Sequence, residues 1–577
     1  MTASTREGGI QPVRLTVGIT AHRDLIAAEK PAIARLVSEL FDRLEQRFPG
    51  TRLQALCPLA EGGERIFARV AVDRGIPLLV PLPLPRSFYM QDFADQESRE
   101  EFEELCEQST VFELPLRPGV SPEQVARPGH LRDSEYAQLG VFVSSHSQVL
   151  VAMWDGKPSD QLGGTAQIVH YRLYNIYPAP AATRPIGPEM LADDENDLAY
   201  HIACSRDRDD GAPASPLHPL QGAWLTGDPE TPPQDEMPDR YAHVFAMTAE
   251  FNRDLGRLAI HRESAAPHLD GNQPAGVTRI GRRFTAVDQL ANRYQRRLNR
   301  ALRTTYTLAA LMGIAFVGYS TLPEQPLLLY AFLGFFALGL CLYAIARRGD
   351  WHRKYLDYRV LSEGLRVQYY WALAGIGNAG DGRFAHENFL QKQDPELGWI
   401  RHVMRDVELA AGPPVDTGDR GLEFVLAHWI GNAVGKDDPG QLGYYTNKAE
   451  QRYRLHRLTE RLGTLSLWSG MAVAVVLAIF SRDFDTATRT VLLLLMGLLP
   501  LLAAVRGAYS HKRADKELIK QYRFMARIFG NARNRLEATS GREDKREVLR
   551  VLGTASLDEH AEWILMHRER PLEQSRL

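Results

Sequence analysis

The 577-residue sequence has few cysteines and almost no excess of charge of either sign. The four cysteines, Cys57, Cys106, Cys204 and Cys341, are far apart, and this spacing indicates neither a disulfide framework nor a zinc site. The net charge of −3 argues against a general nucleic-acid binder, which needs a basic face to displace counterions from phosphates. The N-terminal segment MTASTREGGIQPVR lacks the apolar run of a secretory signal. We therefore expect reduced thiols, no nucleic-acid partner and a cytoplasmic N-terminal half.

Strand-like and helix-like patterns alternate along the N-terminal half. Apolar runs predict strands at 14–19, 51–58, 76–82, 110–114 and 148–154. Apolar residues three or four positions apart predict helices at 33–48, 61–73, 97–108 and 134–146. This alternation predicts an α/β doubly wound, Rossmann-like domain with a parallel sheet, in which ligands bind beyond the carboxyl ends of the strands.

Three loops that follow predicted strands carry the candidate ligand-binding residues. Glycines at a turn from a strand into a helix leave backbone N–H groups free and let phosphate oxygens approach them. Because the three loops would lie at one edge of the sheet, we expect a single crevice for a nucleotide-like ligand. The candidates, in chain order, are Gly18, Thr20, His22, Arg23, Glu61, Gly62, Gly63, Arg65, Asp155, Gly163, Gly164 and Thr165.

Most of these residues also have a purely structural explanation. Paired glycines suit a simple helix-entry turn, and a tryptophan that ends an apolar strand suits the core. Acidic residues in the first turn of a helix complement its dipole, as an alternative to an acid/base pair. Basic residues after a strand can cap a helix or form surface ion pairs. The residues open to both interpretations are Gly163, Gly164, Trp154, Glu61, Glu64, Arg65, His22, Arg23, Asp155 and Lys157.

The segments around these loops resemble the SLOG superfamily, a Rossmann-like group that includes LOG phosphoribohydrolases and the sensor region of TRPM channels. They are GITAHRDL, CPLAEGGERIFARVA, GIPLLVPLPLP and VLVAMWDGKPSDQLGGTAQIV, within about 11–210. The LOG motif GGxGTxxE ends in a glutamate that takes part in N-glycosidic bond cleavage, and Ile168 stands at that position here. Isoleucine cannot exchange a proton or stabilise an oxocarbenium ion. The resemblance therefore implies a domain at 11–240 that binds, rather than cleaves, an ADP-ribose-like, NAD-like or cyclic-oligonucleotide ligand.

Residues 206–240 are rich in Asp, Pro and Gly and show neither the helical nor the strand period. This composition predicts a mobile loop. The loop is either a lid over the crevice or a simple insertion.

Four apolar stretches in the C-terminal half have the length and polarity of membrane helices. They lie at 304–322, 326–346, 463–481 and 490–508, and the short links between them predict two transmembrane hairpins. Arginine and lysine residues flank each hairpin, which places both ends in the cytoplasm by the positive-inside rule. We therefore expect an inner-membrane protein with cytoplasmic N- and C-termini.

The two hairpins share residues at a constant offset of 159 positions, which indicates an internal duplication. The matches are Arg293-Tyr294 with Arg452-Tyr453, Arg347 with Arg506, and His352-Arg353-Lys354 with His511-Lys512-Arg513.

Each hairpin, with a basic helix before it and a helix such as WHRKYLDYRVLSEGLRVQYYW after it, resembles the SLATT family of two-transmembrane effector modules. The modules are predicted at 285–372 and 450–577, with a helical connector at 373–449. The resemblance implies assembly into a homo-oligomer that forms a pore or disrupts the membrane after a nucleotide signal. Four glycines permit close helix packing, either between the copies of such an assembly or between two helices of one chain. They are Gly313, Gly318, Gly334 and Gly339.

The sequence thus predicts a prokaryotic membrane effector of antiviral or stress defence, with a nucleotide second messenger and the lipid bilayer as partners. One alternative is a membrane-anchored nucleotide or NAD hydrolase that uses Glu61 or Glu64. Another is a passive scaffold that recruits a partner through 206–240.

Overall fold

The computed structural model describes the chain in several stretches, with gaps between them. These are residues 10–117, 119–176, 197–228, 230–258, 273–322, 324–376, 389, 395–412, 417–431, 440–480, 482–513 and 515–568. The chain divides into two compact units. The α/β unit consists of Met1–Ala286 and Glu363–Thr417, and the helical unit consists of Val287–Ser362 and Gly418–Leu577.

The α/β unit contains a seven-stranded sheet in the order β4-β3-β2-β1-β5-β6-β7. All neighbouring strands are parallel except β6 and β7. The order reverses between β1 and β5, as in doubly wound folds, so the predicted parallel α/β sheet is confirmed. The strands are β1 (Arg14–Ala21), β2 (Arg52–Leu56), β3 (Leu78–Leu82), β4 (Thr110–Glu113), β5 (Val149–Trp154), β6 (Ala199–Ala203) and β7 (Gly222–Leu225).

The helices of the N-terminal half alternate with these strands. They are α1 (Lys30–Arg47), α2 (Gly63–Asp73), α3 (Arg86–Tyr89), α4 (Gln96–Glu107), α5 (Pro122–Val125), α6 (His130–His146), α7 (Thr165–Tyr174) and α8 (Asp239–Gly256).

The C-terminal half is helical throughout the residues that are described. Its α-helices are α9 (Ala275–Thr321), α10 (Pro326–Arg348), α11 (Trp351–Ala374), α12 (Gly398–Ala411), α13 (Gly418–Val425), α14 (Gly440–Phe480), α15 (Thr486–Lys512), α16 (Asp515–Ala538) and α17 (Arg542–Arg568). Short 3₁₀ turns occupy Met90–Asp92 and Pro395–Leu397, and a π-helical turn occupies Leu426–Ile430.

The prediction of a loop across 206–240 is wrong for part of that segment. β7 pairs with β6, and Trp224 also forms an isolated bridge with Gln234. Ala223 and Trp224 are buried, so this short strand is stabilised by the apolar surface it covers. The strand escaped prediction because its two buried residues are too few to show a period among the surrounding Asp, Pro and Gly residues.

Helix α12, which lies within the predicted connector at 373–449, belongs to the α/β unit. Asp406 accepts a hydrogen bond from the backbone N–H of Arg14 at the start of β1, at 3.1 Å. The ring of Trp399 lies 5.6 Å from that of Phe251 in α8. The two units therefore divide the connector between them, because α13 and α14 belong to the helical unit.

Among the described residues, four helices are long and apolar enough to cross a membrane by length and composition, namely α9, α10, α14 and α15. Large apolar side chains along them are exposed, including Leu327 at 73% and Trp468 at 66%. Such a surface is typical of a lipid-facing helix rather than of a protein in water. The four apolar stretches predicted from the sequence are thus confirmed as helices of spanning length.

Close contacts join these helices. In α14, Ser466 donates a hydrogen bond to the carbonyl of Leu499 in α15, at 2.8 Å. In α15, a Cβ added at Gly497 would lie 2.9 Å from Val317 in α9, so this glycine permits close packing. Tyr306 of α9 donates to the carbonyl of Ala508 in α15 at 3.3 Å.

The four cysteines differ in their surroundings. Cys57, Cys106 and Cys204 are buried in the α/β unit, whereas Cys341 in α10 is exposed. Burial raises the pKa of the three buried thiols, which keeps them protonated and unreactive.

Candidate functional site

The loops that follow β1 and β2 are in direct contact at the carboxyl edge of the sheet. A Cβ added at Gly62, whose φ is +85°, would lie 2.7 Å from the carbonyl carbon of Arg23. Gly63 donates its N–H to the carbonyl of His22 at 3.1 Å. A Cβ added at Gly63 would lie 2.6 Å from that of Ala21. Both glycines are therefore needed for the close approach of the two backbones.

The third predicted loop reaches the same edge through helix α6. A Cβ added at Gly163, whose φ is +71°, would lie 2.8 Å from the backbone nitrogen of Ala137. The N–H of Gly163 donates to the Gln167 side chain at 3.0 Å, and that of Gly164 donates to the carbonyl of Gln161 at 2.9 Å. These two amide groups, predicted to bind phosphate, are engaged within the loop, and the glycines serve packing at the entry of α7.

Arg23 lies between the loop after β2 and helix α6. Its guanidinium is 5.9 Å from the centre of the Tyr136 ring. Tyr136 directly precedes Ala137, the residue whose backbone lies against Gly163. The side chain of Arg23 is exposed, so its charge is available to an anion in the crevice. The hydroxyl of Tyr136 bonds to Asp92, which also forms an ion pair with Arg132 at 2.8 Å. The sequence did not single out Tyr136, Asp92 or Arg132, because no local pattern marks them.

Glu64 is a buried carboxyl group beside this crevice. Its side chain accepts a hydrogen bond from the N–H of Ala60 at 2.9 Å. Burial raises the pKa of Glu64 to about 7, against the opposing effects of the Ala60 hydrogen bond and of the charges of Arg23 and Arg65. A carboxyl group with this pKa holds a proton near neutral pH, which is the property that a general acid needs.

The neighbouring charged residues have structural partners instead. Glu61 accepts a hydrogen bond from the N–H of Ala94 at 2.8 Å and bonds to the hydroxyl of Ser98. Arg65 donates to the carbonyl of Ser98 at 2.8 Å and forms an ion pair with Glu101 at 3.0 Å. Both side chains therefore fix helix α4 against α2.

Asp155 and His22 meet at the point where the strand order reverses. Asp155 Oδ1 lies 3.1 Å from His22 Nε2. Burial lowers the pKa of His22, and this effect exceeds the opposing influence of Asp155. His22 is therefore neutral at pH 7. Asp155 is almost fully buried and accepts a hydrogen bond from the N–H of Lys157 at 3.1 Å.

The segment after β6 covers this reversal point. Arg208 lies 3.4 Å and Arg206 lies 3.9 Å from the carboxylate of Asp155. Arg206 also bonds to Asp24 at 2.8 Å, and Asp207 donates its N–H to the carbonyl of Asp24 at 2.7 Å. The chain's own arginines thus offset the charge of Asp155, whereas Arg23 is exposed. The contacts of both arginines with Asp155 were not predicted, because their segment was predicted to be a loop.

The remaining predicted residues lie in or next to the strands. Gly18 is inside β1, and a Cβ there would lie 2.7 Å from the hydroxyl of Ser147. Thr20 is buried in β1 and pairs with Ala152 of β5. Thr165 begins α7 and is also buried. These positions shape the core beneath the crevice.

Ile168, at the position of the LOG glutamate, belongs to the hydrophobic core. It is 1% exposed and packs with Leu139 and Leu150. A Cβ added at Gly140 in α6 would lie 2.6 Å from its side chain, so the two helices touch here. A carboxylate in this place would be desolvated, which explains why an apolar residue stands there.

We expect Glu64→Gln to stabilise the protein in a pH-dependent manner. The pKa of the carboxyl group rises from 4.5 to about 7 on folding, so its ionisation opposes folding increasingly between these values. The variant should match the parent at pH 4.5 and exceed its free energy of unfolding by up to about 3 kcal/mol at pH 8. Thermal unfolding of the full chain in detergent measures the difference. Glu39→Gln, an exposed control in α1, should behave alike at both pH values.

No family model, curated protein or solved structure matches this chain. The resemblance to the SLOG and SLATT families thus rests on the quoted segments alone. The crevice and the apolar helices are therefore the features that indicate a function.

Proposed function

We propose that the chain is a membrane effector that senses a nucleotide-derived anion through its α/β unit and permeabilises the membrane through its apolar helices. The observation that carries this proposal is the exposed Arg23, whose loop packs against Gly62 and whose guanidinium lies 5.9 Å from the Tyr136 ring, together with four helices of spanning length among the described residues. Ligands of doubly wound folds bind beyond the carboxyl ends of the strands.

The chemistry of the crevice supports an anion with an aromatic base. Arg23 supplies a charge for phosphate, and Tyr136 supplies an aromatic ring beside it. ADP-ribose, NAD and cyclic oligonucleotides combine these two groups. Because the amides of Gly163 and Gly164 are engaged within their loop, the proposal assigns the phosphate to Arg23 rather than to the glycine loop.

The helical unit would supply the response. In this proposal α9 with α10 and α14 with α15 form two transmembrane hairpins in the inner membrane of a prokaryote, with both termini in the cytoplasm. Several copies assemble into a pore when the ligand is present, as part of antiviral or stress defence. The ligand favours the permeable state only to the extent that it binds that state more tightly.

We expect Arg23→Gln to weaken ligand binding at least about tenfold, because a charge-assisted hydrogen bond to phosphate is lost. Calorimetry of the full chain in nanodiscs, with ADP-ribose, NAD and cyclic dinucleotides, measures the affinity. Arg35→Gln removes an exposed charge from α1 and is the matched control. Gly163→Asp is unsuitable as a test, since any Cβ there meets the backbone of Ala137.

Release of a fluorescent dye from liposomes that contain the protein tests the effector part. The ligand that binds should trigger release from the parent protein but not, at the same concentration, from Arg23→Gln. Absence of binding to every ligand would contradict sensing by this crevice. Binding without release would contradict the effector role.

The pKa of Glu64 favours a second candidate, a membrane-anchored nucleotide or NAD hydrolase. A buried carboxyl group with a pKa of about 7 beside the crevice can act as a general acid. Chromatography of NAD and nucleoside monophosphates after incubation with the full chain separates the two functions. A sensor returns its ligand intact, whereas the hydrolase releases base and loses this activity in Glu64→Gln.

A further inference from the structure

The helical unit contains a cavity of about 190 Å³ that is separate from the crevice of the α/β unit. A single water needs only about 15 Å³ of such space, so the cavity has room for a larger group. Helices α9, α11, α14, α15, α16 and α17 all contribute to its wall. The cavity thus lies inside the bundle, among elements from both predicted repeats.

The wall of this cavity is strongly basic. Its cationic and imidazole side chains are Arg359, Arg452, Lys512, Arg513, His352, His560 and His567. Among the described residues that line it, none is Asp or Glu. Two aspartates outside the lining offset part of this charge. Asp288 is 3.3 Å from Arg359, and Asp515 is 3.0 Å from Arg452 and 3.8 Å from Arg513.

Neutral hydrogen-bond donors complete the wall. Tyr355, Tyr444 and Tyr522 bring hydroxyl groups, and Gln521 and Asn292 bring amides. The hydroxyl of Tyr355 accepts a hydrogen bond from Gln295 at 3.1 Å, which fixes its position. Cations surrounded by hydroxyl and amide donors are the chemistry that recognises phosphate oxygens.

Several positive charges of the wall lie close to His352. Burial, followed by the charges of Lys512, His567 and Arg568, lowers the pKa of His352 to about 4. The imidazole is therefore neutral at pH 7, and the cations around it repel any further positive charge. An anion in the cavity would relieve this repulsion.

The cavity lies close in sequence to the ends of the apolar helices. Leu302 of its wall precedes the predicted span at 304–322, and His352 follows the span at 326–346. Lys512 is the last residue of α15. Basic pockets between membrane helices, at the cytoplasmic level, are suited to acidic headgroups.

We propose that this cavity is a phosphate-binding site, which holds either the headgroup of an acidic phospholipid or a soluble phosphate compound. The phospholipid headgroup and the soluble compound carry the same phosphate oxygens, which Lys512, Arg359 and Arg452 would bind. The site is distinct from the nucleotide crevice and does not depend on it.

The test uses the full chain in detergent with two probes. Native mass spectrometry counts bound phosphatidylglycerol, with phosphatidylcholine as the uncharged comparison, and calorimetry measures inorganic pyrophosphate binding. Lys512→Gln and Arg359→Gln each remove one cation from the cavity. Arg457→Gln is the control, because it removes an exposed charge of α14 that does not line the cavity. Circular dichroism confirms folding, and Lys512→Gln decides alone if Arg359→Gln does not fold.

We expect at least about tenfold weaker binding in the two cavity variants and unchanged binding in the control. Selective loss of phosphatidylglycerol identifies a lipid headgroup site, and selective loss of pyrophosphate identifies a site for a soluble phosphate compound. The proposal is overturned if the parent binds neither probe, or if Arg457→Gln loses as much affinity as Lys512→Gln.

Discussion

Replacement of Arg172 by methionine is expected to lower the free energy of unfolding of the α/β unit by about 4 kcal/mol. Arg172 in α7 is buried, and its guanidinium donates to four carbonyl groups. It bonds to Leu198 at 2.9 Å, Ser144 at 2.6 Å, Ser147 at 3.0 Å and Gln148 at 2.9 Å. Methionine fills a similar space but leaves all four carbonyls without this donor, which is costly in a buried site.

Hydrogen exchange of the full chain in detergent measures this loss, because amides of a central strand exchange only when the unit opens. The amides of β5 should exchange about 10³-fold faster in the variant, since each 1.4 kcal/mol is a factor of ten. Arg35→Met, at an exposed position of α1, should change the free energy of opening derived from the same exchange rates by less than about 0.5 kcal/mol. Equal protection in both variants would show that the four bonds do not hold α7 against the sheet.

Gly62→Ala is expected to destabilise the α/β unit by about 4 kcal/mol, from two effects that act together. The first is the φ of +85°, which L-residues with a Cβ adopt only under strain. The second is the overlap of the new methyl group with the carbonyl of Arg23. Because the carbonyl of Arg23 belongs to the backbone, it cannot move aside without displacing a strand-end loop.

Gly50→Ala separates these two effects. Gly50 has a similar φ of +94°, but a Cβ there would have no atom within 4 Å. The control should therefore lose only the conformational part, about 1 kcal/mol. Thermal unfolding of both variants in detergent gives the comparison. A similar loss in the two variants would mean that the contact between the loops after β1 and β2 is not tight.

The architecture of the sheet could be predicted because its signals are local. The strand Val149–Trp154 is apolar throughout, and the helix Lys30–Arg47 buries apolar residues three or four positions apart. Each of these elements can therefore be recognised from a short stretch of sequence. The four membrane-length helices were predictable for the same reason, since an apolar run is visible without knowledge of its neighbours.

The details of the site depended on pairings that the sequence does not display. Asp155 and Arg208 are separated by 53 positions, and nothing in either segment predicts that they meet. The role of a glycine is also difficult to predict from the sequence, because a phosphate-binding loop and a tight backbone contact both require the absence of a Cβ. Gly62 and Gly163 were predicted to bind a ligand, and the structure shows that each also makes a tight backbone contact, with Arg23 and Ala137 respectively.

The unequal burial of the cysteines permits the attachment of a label at one position. Cys57, Cys106 and Cys204 are shielded, so a thiol-reactive fluorophore should react with Cys341 in the natural chain, without any engineered substitution. This residue lies within α10, one of the helices of spanning length. The emission colour of an environment-sensitive dye there would report directly whether hydrocarbon or water surrounds the helix, before and after addition of a ligand.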